Sequence, residues 1–199
     1  MNYTKMKELL DQCPQLSGSG ENSYEKWEEY VRARRDFYAY LAAENETANL
    51  VSELNWAIRS QYNGCHQMGI DVAAGDVCYM DFGQAYRYEI GFQHFGLIMS
   101  ICFGKALVVP MTSNPVQYAQ AYDPEENPEG RRHLMRLGQI GQMNKPSVLF
   151  LNDMKFVNTS RIIDVKGHLS TGSDKFMAIR RRLLEEVSGS EYDPGTMLR

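Results

Sequence analysis

The chain has 199 residues, 43% of them hydrophobic, and a formal net charge of −4. This length accommodates one domain with an extension or two small domains, and the apolar share suffices for a packed core. The acidic balance argues against a strong non-specific nucleic-acid binder, and no apolar run approaches the length of a membrane span or the h-region of a signal peptide.

The N-terminal third reads as helical. Residues 3–12 carry a short helical pattern, stopped by Pro14 and the Ser-Gly-Ser-Gly stretch at 17–20. Asn22 or Ser23 is placed to cap a longer helix in which Trp27, Tyr30, Val31, Arg34, Tyr38 and Leu41 recur at helical steps. The aromatic stripe reads as a packing face ahead of a base-stacking platform, and the basic group at 32–35 as a solvated face ahead of a phosphate contact. A second segment, 46–62, sets Leu50, Val51, Leu54, Ile58 and Tyr62 on one face, and Asn63-Gly64 ends it.

Near Gly75 the period changes from helical to alternating, and residues 75–113 organise the remainder of the chain. Gly75-Asp76 is a turn signal. Val77 and Tyr79 then alternate with Cys78, Met80 and Phe82. A Gly- and Tyr-rich loop spans 83–91. Apolar runs at 95–102 and 106–109 come next, joined by a Gly-Lys turn, and the second ends in Pro110-Met111-Thr112-Ser113. Short strands with tight turns predict a small, strongly curved antiparallel sheet. Polar groups concentrate at its strand ends: Arg87, Glu89, Gln93 and His94 before the second strand, Thr112 and Ser113 after the third.

Residues 114–146 hold four prolines and a polar run at 123–132. They read as a long loop followed by a short strand near 133–137. Residues 147–151 form a buried-strand pattern, and 155–157 and 161–165 two further short strands around an Asn-Thr-Ser turn. Ser173 or a neighbour is placed to cap a last helix with the stripe Phe176, Ile179, Leu183 and Val187. Residues 188–199 lack periodicity and read as a tail. Cys13, Cys65, Cys78 and Cys102 are scattered without metal-ligand spacing. Cys78 and Cys102 lie in apolar runs and read as core thiols; a reducing cytoplasm is the simplest setting, with no metal site.

The order of these pieces resembles the MazF/PemK family of toxin ribonucleases. Its opening Gly-Asp strand ending in Asp is similar to Gly75-Asp76-Val77-Cys78-Tyr79-Met80-Asp81-Phe82. Tyr88-Glu89 and Gln93-His94 stand where the family has a Gly-x-Glu element and a polar catalytic position. Val108-Val109-Pro110-Met111-Thr112 resembles its apolar-Pro-x-Thr strand end. The stretch from Leu149 to Ile162, with Lys155 and Arg161, is similar to a later family segment. The likeness covers roughly residues 74–187.

The resemblance implies an α+β fold with a mainly β core: an SH3-like antiparallel barrel at 74–187 with a C-terminal helix, preceded by a helical extension at 1–70 and followed by the tail. It implies a metal-independent endoribonuclease without a cofactor. The enzyme would act as the toxin of a toxin–antitoxin pair, form a homodimer and be covered by a cognate antitoxin. RNA is cut when its own 2′-OH attacks the adjacent phosphorus, leaving a 2′,3′-cyclic phosphate and a 5′-OH. That route needs a proton acceptor, a proton donor and stabilisation of the extra negative charge. Thr112 matches one catalytic position directly. His94 stands where the family carries Arg, exchanging a fixed charge for a titratable acid–base group. Arg87, Glu89, Gln93, Ser113 and Lys155 are the implied RNA contacts. Glu89 is placed to orient His94, and Arg161 reads as structural. A second class stays open: a non-catalytic SH3-like module binding a protein tail or RNA.

Overall fold

A computed structural model describes residues 22–38 and 43–188. The expected helix at 3–12, the side chains of Trp27, Tyr38 and Leu41, the thiol of Cys13 and the tail at 189–199 lie outside the described residues. The chain divides into two compact units between Leu50 and Val51.

The first unit contains α1 (Asn22–Tyr38) and the start of α2 (Ala43–Arg59). In α1 Ala33 is buried and Tyr30 half-buried, while Val31 of the expected stripe is exposed.

The second unit is built on a sheet of eight strands: β1 (Asp76–Asp81), β2 (Gln93–Cys102), β3 (Lys105–Thr112), β4 (Ala121–Tyr122), β5 (Arg131–Gly138), β6 (Ser147–Phe150), β7 (Lys155–Asn158) and β8 (Ile162–His168). The order is β4-β5-β6-β3-β2-β1-β8, with β7 also on β3. All ladders are antiparallel except the short β4–β5 pair, which is parallel. The strands at the two ends of this order, β4 and β8, do not pair with each other, so the expected SH3-like barrel is present as an open curl. The curl brings its far sides together through a loop: Gln142 N donates to the Lys166 carbonyl of β8 at 2.8 Å.

Alternation along the strands divides the core. One face of β1–β3 carries Val77, Leu97, Val109 and Met111 into the inner cluster, which Leu149, Phe176, Ile179 and Leu183 complete. The opposite face carries Cys78, Met80, Ile98 and Val108 into an outer cluster with Cys65 and Ile162. The inner cluster is where α4 (Asp174–Ser188) docks, each fully buried side chain contributing about 1.5–3 kcal/mol. Ser173 caps this helix as expected, its Oγ accepting from Phe176 N at 3.2 Å. Val187 is 68% exposed, so its place in the expected stripe is not taken up; Arg182 is buried instead.

Several boundaries differ from expectation for visible reasons. Pro110 lies inside β3. It sits where β3 changes partner, from β7 at Lys105–Val108 to β6 at Met111–Thr112, so that side has no ladder bond to lose. The expected long loop after residue 113 begins with a helix, α3 (Pro115–Gln120). Asn114 caps it through bonds from Val116 N and Gln117 N, and Pro115 fills its first turn. The β2–β3 hairpin turns on Phe103 and Gly104, both at positive φ, and carries Cys102 beyond the core into solvent. Among the described residues Cys65 and Cys78 are the buried thiols; burial pushes Cys78 up to about 12, with help from the charge of Asp76.

The second half of α2, Val51–Arg59, turns its polar side to the sheet. Ser52 Oγ and Asn55 Nδ2 each donate to the Asp81 carboxylate at 2.7 Å. Arg59 Nη1 donates to the carbonyls of Ser160 and Ile162 at 3.2 and 2.8 Å. Leu54 and Ile58, on the apolar face of this helix, are 59% and 51% exposed.

Candidate functional site

The end of the sheet where β1 leaves and β2 enters carries most of the polar residues singled out from the sequence. Gly96, in β2, is the reason the strands close tightly here: a Cβ on it would meet Val108 Cγ1 at 2.4 Å and Phe82 and Met80 just beyond. Those neighbours fix Gly96 on the outer face, and His94, two residues earlier in the strand, shares that face.

The β2–β3 ladder runs Gly96 opposite Pro110 and Phe95 opposite Met111. The ladder ends at that pair; continued by one step, the same register would set His94 opposite Thr112. Directly opposed antiparallel residues present their side chains on one face, with Cα atoms about 4.5–5.5 Å apart. His94 is half-buried, and its Nδ1 lies 2.7 Å from the Gly91 carbonyl. A carbonyl only accepts, so Nδ1 carries the proton and neutral His94 keeps its lone pair on Nε2. Thr112 Oγ1 accepts from Asn114 N at 3.2 Å, which leaves its O–H available to donate.

The loop entering β2 is strained and pinned. Tyr88 and Phe92 adopt positive φ at 76° and 54°, a conformation costing about 1–2 kcal/mol for a residue with a side chain. Phe82 N donates to the Phe92 carbonyl at 2.7 Å and Phe92 N to the Gly83 carbonyl at 2.6 Å. Asp153 accepts from Ile90 N at 2.7 Å, and Lys155 reaches the Ile90 carbonyl at 3.4 Å. Lys155 also pairs with Asp153 at 3.0 Å and stands over the Phe82 ring. The lysine expected to meet RNA is therefore half of a clamp on this loop.

Gln93 is similarly engaged. Its amide donates to Asp81 at 2.7 Å, beside Ser52, Asn55 and the Gly83 N–H. Burial works to raise Asp81, but bonds from Asn55, Ser52, Gln93 and Gly83 outweigh it and hold the carboxyl below the usual range. Asp81 is thus the knot joining α2, the loop base and the strand that carries His94. Its identity was visible at the end of the opening strand motif, but its partners at 52 and 55 were not. Arg161 adds a bond from Nη1 to the Asp81 carbonyl at 3.1 Å, in keeping with a structural part.

Arg87 and Glu89 are exposed on the loop that also carries Tyr86 and Tyr88, which are 85% and 94% exposed. Glu89 Oε2 accepts from Tyr86 N at 3.2 Å and steadies the loop tip. The orienting contact to His94 that was expected from Glu89 is made by the Gly91 carbonyl. Ser113, one residue beyond Thr112, lines a pocket on the inner side with Phe95 and Ser147. Among the described residues, no three His, Cys, Asp or Glu side chains gather as a metal site, and no helix is long and apolar enough to cross a membrane.

No family model and no curated protein matches the chain. Solved structures similar to it include MazF from Deinococcus radiodurans, at 14% identity over 60% of this chain and 99% of that one, with a TM-score of 0.44. The Mycobacterium tuberculosis toxin MazF-mt6 is 11% identical over 58% of this chain and 99% of its own, at a TM-score of 0.40. An endoribonuclease from a mycobacterial species, solved in complex with its cognate antitoxin, is 12% identical over 62% of this chain and 100% of its own, at 0.39. These proteins carry the name or activity of the family that the strand and loop motifs resemble.

Proposed function

We propose that the chain is a metal-independent endoribonuclease, cutting single-stranded RNA by attack of its 2′-OH, and that it works as the toxin of a toxin–antitoxin pair. The observation that carries this reading is the state of His94. Its Nδ1 is committed to the Gly91 carbonyl at 2.7 Å, leaving Nε2 as the base. In the proposed step Nε2 takes the 2′-OH proton, the 2′-oxygen–phosphorus bond forms and the phosphorus–O5′ bond breaks. The 5′-oxygen takes its proton from water. Thr112 donates to a non-bridging oxygen, and Arg87 on the exposed loop supplies positive charge. Gln93, Glu89 and Lys155 serve RNA binding by holding the loop and strand that carry Arg87 and His94, while Ser113 meets the strand on the inner side.

The partner reading accompanies this proposal: a homodimer and an antitoxin segment that folds over the rim, the sheet end that carries His94 and Thr112, and covers it. The non-catalytic alternative is favoured by one observation, the neutralisation of Lys155 by Asp153. The test is cleavage of a mixed RNA pool in EDTA by the full chain, with end-group analysis. Cyclic phosphate and 5′-OH ends are expected. RNA bound but uncut by the wild type would overturn the nuclease and leave the binding module.

A further inference from the structure

The strand ends that hold His94 and Thr112 on the outer face hold Phe95 and Ser113 on the inner one. There, at the mouth of the curled sheet, lies a pocket of ≈ 350 Å³, within the size range of small-molecule sites. Its walls come from four distant parts of the chain: Phe95 of β2, Ser113 after β3, the segment before β6, and Lys166 of β8. The wall before β6 is pinned by the Gln142–Lys166 backbone bond. It also approaches β8 so closely at Gly141 that a Cβ there would lie 2.7 Å from the Lys166 carbonyl. The pocket is therefore built by tertiary structure and does not wait for a ligand to shape it.

The lining is chemically one-sided. In a chain of net charge −4 it includes Lys145 and Lys166 and no carboxylate. Lys166 pairs with Asp164 outside the lining, but an ammonium has three donors and can add a second acceptor. Among the described residues, Lys145 makes no ion pair, and the side chains of Ser113, Gln142 and Asn144 make no hydrogen bond. Amides and a hydroxyl supply both donors and acceptors, as needed to read the edge of a base. Phe95 supplies an aromatic surface, itself propped by Tyr79 with ring centroids 5.3 Å apart.

We propose that this pocket holds one nucleotide of a single-stranded RNA, its base against Phe95 and its phosphate against Lys145 and Lys166, and so selects the sequence that crosses the strand ends. The inference rests on the ribonuclease reading for the source of the nucleotide. The rim acts on the phosphodiester, which every RNA shares; the mouth is where one base differs from another.

The experiment uses the full chain carrying His94→Gln, so that RNA is consumed far more slowly, and measures calorimetric binding of 5′-mononucleotides, nucleosides and inorganic phosphate. A mononucleotide should bind saturably, with nucleoside and phosphate each weaker by about ten-fold or more, because each keeps half of the contacts. Lys145→Ala should weaken the mononucleotide by about five-fold, and Asn144→Asp by more, since it brings a negative charge to the phosphate. Both residues are exposed, and an unchanged circular dichroism melt would verify the fold. A single-stranded RNA should displace the mononucleotide. Equal binding of phosphate and mononucleotide, no binding up to about 10 mM, or an unaltered affinity in both variants would overturn the proposal. Mononucleotide binding that RNA fails to displace would overturn the RNA source in favour of a free nucleotide. Wild-type cleavage without mononucleotide binding defeats the pocket alone, whereas binding without wild-type cleavage defeats the nuclease alone.

Discussion

The rim and the mouth are built from the same two strand ends, yet their polar residues are in opposite conditions. On the rim side, Gln93 is bonded to Asp81, Lys155 to Asp153 and the Ile90 carbonyl, and His94 Nδ1 to Gly91. At the mouth, Lys145, Asn144, Gln142 and Ser113 face a cavity with their side chains uncommitted among the described residues. Residue type is thus a poor guide to what a polar group is for. A lysine beside a shielded carboxylate holds structure, and a lysine beside open space is available to a ligand. The rim is pre-organised, as chemistry requires; the mouth has spare donors, as recognition requires.

The largest effect that would sharpen this contrast is on the chemical step. His94→Gln should lower cleavage by about two to four orders of magnitude, the usual scale of one acid–base group, while RNA affinity stays near wild type. Rates measured with saturating RNA provide the check. Undiminished cutting would break the assignment of the rim to catalysis.

Next in size is the knot beneath the rim. Asp81→Ala leaves Ser52, Asn55, Gln93 and the Gly83 N–H without their acceptor and should cost about 3 kcal/mol in chemical unfolding. The pH sign comes from the lowered carboxyl. Its stabilisation is fully present above the unfolded aspartate value of about 3.9 and is lost as pH falls through the lower folded value. The stability gap between wild type and variant should therefore be constant above about pH 5 and close on acidification below about pH 4. A gap that widened in acid would show that Asp81 does not act as a bonded carboxylate.

The contrast also separates what the sequence discloses from what it hides. Alternation at 77–82 located β1, and the Ser173 cap with Phe176, Ile179 and Leu183 located α4, because these signals are local and periodic. Asn114-Pro115 was an equally local start signal for α3, but the prolines around it read as loop. In α2 the periodicity was sound, but it did not give the orientation. An apolar stripe tells which face gains from burial, and here a buried carboxylate 26 to 29 residues away claimed the polar face instead. The strand order that would carry His94 and Thr112 to the same end of the sheet is also readable, because both lie at ends of apolar runs. The commitments of Gln93 and Lys155, and the mouth pocket itself, depend on pairings between distant segments that leave no periodic trace.

A smaller effect tests the rim from its second side. Thr112→Val removes a hydroxyl at nearly constant shape. Cleavage should fall about ten- to hundred-fold through loss of one hydrogen bond to a charged oxygen. Its bond from Asn114 N is also lost, so stability should drop by only about 0.5–1 kcal/mol. Single-turnover rates set beside a thermal melt separate the two, and a melt that collapsed with the rate would make Thr112 a structural residue.

The smallest effect decides whether the rim's lysine belongs with the groups that hold structure or with those that bind. Lys155→Met keeps the aliphatic stem over Phe82 and removes the ammonium that pairs with Asp153 and reaches the Ile90 carbonyl. Both partners of this ion pair are largely shielded but not fully desolvated, at 29% and 14% exposure, so the cost in stability should stay at or below about 1 kcal/mol. If the lysine is a clamp, its loss should loosen the loop locally, and amide exchange at Ile90 and its neighbours should accelerate while the rest of the sheet stays protected. The salt dependence of RNA binding should then be unchanged, because no phosphate contact is lost. A lysine that met a phosphate would reduce that slope by about 0.7 per contact on a single strand. A shallower slope with unchanged exchange at Ile90 would move Lys155 out of the clamp and make the rim a binding surface like the mouth.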